Sequence, residues 1–191
     1  MKKIILLLTL ILPLLCSSQL KKDDDGTLYY EEVIETDLSI AEIHDAIEQY
    51  LATYSDNSNY VIKINKEDQI LAKGDIPIIG PNELNIVLNT EFKEGRYRIF
   101  INELMLNKKD PFTNDEELNT KIALDQMEKR YSKQGKLSEF QKLKKSGEAE
   151  KHVSGFVEMN KFFYPKGETK LLAFVEDLKQ YISDFNSDSD W

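Results

Sequence analysis

Cysteine is almost missing from this chain: the single one, Cys16, stands at the end of an apolar N-terminal run. A chain cut behind Ser18 keeps no thiol, which excludes disulfides, thiolate nucleophiles and cysteine metal sites from the mature protein. Histidine is scarce too, with only His44 and His152. There is no glycine-rich phosphate loop, because Gly80 and Gly95 are isolated turn glycines. Basic charge is the minority, 25 Lys and Arg against 34 Asp and Glu, for a net charge of −9. Without Lys2 and Lys3 the balance is 23 against 34, a net of −11. That balance argues against nucleic acid, whose phosphates demand Lys and Arg, and against anionic lipid.

The N-terminus carries an address. Lys2 and Lys3 precede an apolar stretch over 4–15, broken only by Thr9 and Pro13, and Cys16, Ser17 and Ser18 offer small residues before Gln19. Basic, apolar, small is the order of a secretory signal peptide. The apolar stretch is shorter than the roughly 20 residues that cross a bilayer. The expectation is therefore a signal over 1–18 and an exported protein, periplasmic or secreted, with no transmembrane segment in the mature chain. A second reading makes Cys16 a lipidated first residue. Lipoprotein signals place a small residue just before that cysteine, and Leu15 stands there instead.

The remaining chain is long enough for one domain with a sizeable core. Residues 19–27 are polar and read as a flexible tail. A strand is expected over 28–36. Ser39 with Glu42 makes a capping box, and Ile40, Ile43, Ile47, Tyr50, Leu51 and Tyr54 recur behind it as one helical stripe. Four strand signals follow. Tyr60, Ile62 and Ile64 alternate with Val61, Lys63 and Asn65. A run from 70 is ended by Pro77. Leu84, Ile86, Leu88, Thr90 and Phe92 then alternate with polar partners, and Tyr97, Ile99 and Ile101 return after a turn at Gly95. From Asn114, paired with Glu117 as a cap, the pattern is helical. Residues 132–151 are rich in Lys, Glu, Ser and Gly and read as a mobile stretch. A last helix is expected over 168–185, with Leu171, Leu172, Val175, Leu178, Ile182 and Phe185 on one face. The order predicts an α+β fold: a single antiparallel sheet of about five strands with the first and last helices on one face. The expected units are a sheet-plus-helix domain over 28–112, a helical extension over 113–185 and an acidic tail over 186–191.

The stretch Glu91-Phe92-Lys93-Glu94-Gly95-Arg96-Tyr97-Arg98-Ile99 resembles the hairpin of the bacterial domain of unknown function 4468 family, which has a TATA-binding-protein-like fold. The helix start Ser39-Ile40-Ala41-Glu42-Ile43 and the strand Ile70-Leu71-Ala72-Lys73-Gly74 are similar to that family as well. The likeness covers about 29–106, and 113–165 departs from it. The resemblance implies the fold and export. It implies no activity, cofactor or catalytic residue, and the fold name does not imply DNA binding.

Candidate sites are few. His44 shares an i,i+4 face with Glu48 beside Asp45, which reads as mixed charge on a helix surface, and His152 reads as a solvated side chain. No metal or other cofactor is expected. Asp184, Asn186, Asp188 and Asp190 repeat like the start of a calcium loop, but Ser189 holds the glycine position and no bidentate Glu follows. Arg96 and Arg98 flank Tyr97 and offer an anion contact, or outward charge paired with Glu91. Tyr29, Tyr30, Tyr50, Tyr54, Tyr60, Phe92, Tyr97 and Phe100 could line an apolar groove or simply be core. Phe162, Phe163 and Tyr164, with Phe156, form a cluster that either docks on the sheet or meets a partner. The expected function is a non-catalytic binding or assembly module of the bacterial cell envelope, its partner an envelope protein. A carrier of a small apolar ligand and a carboxylate-based hydrolase are the alternatives.

Overall fold

The structure, a computed structural model, describes residues 20–24, 26–54 and 60–185. The expected signal over 1–18 and the acidic tail over 186–191 lie outside the described residues. Within them the chain runs β1 (Lys21–Lys22), β2 (Leu28–Glu35), α1 (Ile40–Tyr54), β3 (Val61–Lys66), β4 (Gln69–Ile79), β5 (Asn82–Lys93), β6 (Arg96–Leu106) and β7 (Asp110–Pro111). Three further helices follow: α2 (Glu116–Lys133), α3 (Leu137–Ser146) and α4 (Glu148–Asp184). The strands form one antiparallel sheet in the order β1-β2-β6-β5-β4-β3, with β7 added on β6. The fold is α+β, and the sheet has seven strands rather than five. The two extra strands are two residues each, too short to show an alternation. One of them, β1, belongs to the stretch expected to be a flexible tail. It pairs Lys21 with Tyr29 and Lys22 with Leu28. The turn between closes on Asp23, whose carboxylate accepts from Thr27 N at 2.7 Å, with Gly26 at φ 80°.

Helix α1 starts where its capping box says. Ser39 N donates to Glu42 Oε2 at 2.7 Å, and Glu42 N reaches Ser39 Oγ at 3.4 Å. Its stripe of Ile43, Ala46, Ile47, Tyr50 and Leu51 is buried. On the facing side of the sheet, Ile70, Ala72 and Ile76 of β4, Leu84, Ile86 and Leu88 of β5, and Ile99 and Ile101 of β6 point into the same core. Leu171, Phe174, Val175, Leu178 and Ile182 of α4 complete it. Each buried Val, Leu, Ile or Phe among them contributes about 1.5–3 kcal/mol by leaving water, which holds both helices on this one face.

Three boundaries differ from expectation. Strand β4 runs through Pro77 to Ile79. The β3 pairing stops at Lys73, so Pro77 lies where β4 has an open edge and its missing N–H costs no ladder bond. Helix α2 is capped by Asp115, whose carboxylate accepts from Leu118 N at 3.0 Å, one residue beyond the expected Asn114. Helix α4 starts at Glu148, twenty residues early, and passes through Pro165. A proline inside a helix loses one backbone hydrogen bond and costs about 3 kcal/mol. Tertiary contacts offset that loss. Tyr164 stacks on Phe112 with ring centroids 4.9 Å apart, and Gly167 brings the backbone against the same ring.

The stretch over 132–151 is helical rather than open chain. Helices α2, α3 and the first half of α4 pack together and bury Ala123, Phe140, Ala149, Val153 and Val157 as a second, smaller core. Gly147, in the left-handed region at φ 72°, ends α3 and turns the chain into α4. A buried polar link ties α4 to α2 and to the segment that leaves the sheet: Asn160 Nδ2 donates to Asn119 Oδ1 at 2.7 Å, and Asn119 Nδ2 to the Thr113 carbonyl at 3.1 Å. Among the described residues no helix is long and apolar enough to cross a membrane.

Candidate functional site

Alternation along the strands sends one set of side chains into the core and the other to the opposite side of the sheet, on which no helix packs among the described residues. Pairing register fixes who meets whom there. Val33 faces Arg98, Arg98 faces Glu91, and Glu91 faces Gln69. Two rows further along, past Phe100, Asn89 and Leu71, Val87 lies between Asn102 and Lys73, and Lys73 faces Val61. Val33 and Val61 are about half exposed.

Arg98 sits between two acids. It donates to Glu91 at 2.8 Å and to Glu31 at 3.3 Å, and its guanidinium lies 5.8 Å from the centre of the Phe100 ring. The partner expected from sequence, Glu91, is present. Glu31 was not visible, because nothing in the pattern says that β2 lies beside β6. Arg96 is exposed and makes no ion pair among the described residues. Both arginines border a depression of about 270 Å³ with Val33, Glu91 and Lys93 on its other sides.

A second depression of about 470 Å³ opens on the same side of the sheet. Val61, Val87 and Met105 supply its apolar walls, and Lys73, Glu103 and Lys108 its charges. Lys108 Nζ reaches Asp75 at 2.9 Å and Glu83 at 3.3 Å, while Asn85 donates to Asp75 at 2.6 Å and accepts from Lys108 N. These bonds to Asp75 and Glu83 lift the Lys108 ammonium above the ordinary lysine range. Sequence reasoning missed this network, since its members come from two strands, β4 and β5, and from the turn after β6.

The aromatic cluster divides. Tyr164 docks on Phe112, and Phe163 packs partly against the core. Phe162 is 53 % exposed and carries the Lys166 ammonium 3.4 Å above its ring. The larger aromatic set fills space between sheet and helices. Tyr54, Tyr60 and Phe174 meet at centroid distances of 5.2–5.7 Å, and Tyr50 stacks on Tyr54 at 5.5 Å. Burial pushes the phenols of Tyr50, Tyr54 and Tyr60 above the ordinary tyrosine value. Tyr29 and Phe100 form a separate pair on the open side, 5.8 Å apart.

His152 is exposed on α4, where its Nδ1 meets the Glu148 carbonyl at 2.6 Å. His44 is not a plain surface side chain. It is 18 % exposed, stands edge-on to Phe92, and meets Asn65 as well as its helix neighbours.

No family model matches the sequence, and no curated protein does. Solved structures to which the chain is similar include a DUF4468 family protein from Bacteroides ovatus, with 15% identity and a TM-score of 0.37 over 46% of this chain. The chain spans 58% of that protein's length. Another is a TBP-like protein from Parabacteroides distasonis, with 14% identity and a TM-score of 0.46 over 84% of this chain and 95% of that one. These are the family and the fold type that the hairpin resembles. The fold assignment itself rests on the strand order and register of this chain.

Proposed function

We propose that the chain is an exported, non-catalytic binding or assembly module of the bacterial cell envelope, and that the open side of its sheet receives a protein partner. One observation carries the reading. That side presents apolar walls at Val33, Val61, Val87 and Met105 bordered by paired charges at Arg98, Glu91, Lys108 and Asp75. Apolar centre and polar rim is the anatomy of a protein interface. The charges are already paired within the chain, so they fix register against a partner more than they add affinity. Export is supported by the basic, apolar and small order of residues 2–18. The tightly packed rings between sheet and helices leave the open side as the better candidate than an internal groove.

Native mass spectrometry of the protein purified from its own host tests this. A copurifying envelope protein that is lost when Val61→Glu charges the open side supports the module. A copurifying lipid retained by that variant would replace it with the carrier. The N-terminal residue read in the same spectra should be Gln19; retained Met1 would contradict export, and a lipid on Cys16 would establish the lipoprotein instead.

A further inference from the structure

We propose that His44, Asp45 and Glu48 form a binding site for one zinc-class divalent cation, prepared by Asn65 on the neighbouring strand. The site lies on the helix-covered side of the sheet, away from the surface assigned to the partner.

Strand β3 explains how Asn65 arrives there. Regular alternation would put Asn65 on the side opposite Ile62. Instead Ile62 pairs with Ala72 and Ile64 with Leu71, so Lys63 is an extra, bulged residue. The bulge reverses the parity, and Asn65 pairs with Ile70, whose side chain is fully buried on the helix side. Re-aiming a side chain is what such bulges do. Asn65 then reaches α1, where its amide nitrogen donates to Glu48 Oε1 at 3.1 Å. That orientation turns the amide oxygen toward His44 Nε2, 2.5 Å away.

An amide oxygen can only accept, so Nε2 carries the ring proton and the neutral imidazole presents its lone pair at Nδ1. Nδ1 faces Asp45 Oδ1 at 3.4 Å and Glu48 Oε2 at 4.0 Å. The three ligand atoms all lie within 4.8 Å of one another. Three acceptors therefore converge on one point, an arrangement that a cation relieves. Tetrahedral zinc with bonds of about 2.0–2.2 Å holds its ligands roughly 3.3–3.6 Å apart, so small rotations of two exposed carboxylates complete the geometry. The imidazole needs no such adjustment. Asn65 fixes its tautomer and Phe92 its tilt, with the rings at 88° and 6.1 Å. A ligating histidine whose second nitrogen donates to an oxygen is the usual outer-shell arrangement at zinc. One nitrogen and two carboxylate oxygens leave the fourth position to water or to a donor from another molecule.

The test is a cobalt(II) titration of the full mature chain, prepared without a polyhistidine tag, followed by displacement with zinc. Wild type should bind one equivalent with the intense visible absorption of tetrahedral cobalt, and zinc should remove the band. His44→Ala should abolish the band, and His152→Ala should leave it unchanged. Asn65→Ala should weaken binding about 10–100-fold, with the band recovered at saturation, the mark of a positioning residue. Absence of the band in wild type, or wild-type binding by a folded His44→Ala, overturns the proposal. Should His44→Ala not fold, Glu48→Gln decides it, because that carboxylate is half exposed: unchanged affinity overturns the site, and a loss of tenfold or more supports it.

Discussion

A Cβ on Gly167 would stand 2.6 Å from Cε2 of Phe112 and 2.8 Å from its Cζ. No ordinary packing tolerates that distance, so the missing side chain is what lets α4 lie against the turn after β7. Gly167→Ala should gain about 1 kcal/mol in helix propensity and lose about 1–3 kcal/mol to overpacking, a net destabilisation seen as a lower denaturation midpoint. In a Phe112→Ala background the clash is gone, and the same substitution should become stabilising. Additive effects in this double-mutant cycle would mean that the two residues do not touch.

Leu178 is fully buried between α4 and the sheet. Leu178→Asp removes an apolar side chain and leaves a carboxylate without a partner, so the cost should be several kcal/mol, with a steep fall in melting temperature. Lys170→Ala, on the exposed side of the same helix, should change the melting temperature little. Equal melting temperatures for wild type and Leu178→Asp would show α4 undocked.

The Tyr60 hydroxyl is buried and finds no hydrogen-bond partner among the described residues, while its ring covers Gly74 and stacks on Phe174. Removing an unsatisfied buried hydroxyl relieves a penalty of about 1–3 kcal/mol. Tyr60→Phe should therefore raise stability. Tyr60→Ala should lower it by several kcal/mol through the cavity it leaves.

The same burial predicts alkaline behaviour. Tyr50, Tyr60 and Tyr97 are held above the ordinary phenol value by burial first and by neighbouring acids or tyrosines second, and Tyr164 is pushed up to about 12 by burial and Glu168. Unfolded tyrosine ionises near pH ~10. Folding thus keeps protons that the unfolded chain releases, and the stability is fully present below pH ~10 and is lost as pH rises through the folded values. A spectrophotometric titration should show these phenols ionising late and together with unfolding. Ionisation of every tyrosine near pH ~10 in a folded protein would contradict their burial.

Local signals carried much of the fold. The capping box at Ser39 and Glu42, the alternation from Leu84 to Phe92 and the apolar stripe from Leu171 to Ile182 are all where the sequence puts them. What escaped depends on contacts far along the chain. The last helix was expected only from residue 168, and Pro165 and Gly167 lie inside it because of contacts to Phe112, more than fifty residues earlier. The bulge at Lys63 is invisible because Tyr60, Ile62 and Ile64 look like unbroken alternation. With it went Asn65, and with Asn65 the environment of His44. Arg98 was legible as a hairpin charge paired with Glu91, and not as the centre of a triad with Glu31.

The central claim is that the open side of the sheet meets a protein partner. The direct measurement is in-cell photo-crosslinking in the native host, with a photoreactive amino acid placed in turn at Val33, at Val61 and at Ala173 on the exposed side of α4. The account predicts a crosslink to one and the same envelope protein from Val33 and Val61 and none from Ala173. Crosslinks from Ala173 alone, or none from either valine while the protein is exported and folded, would contradict it.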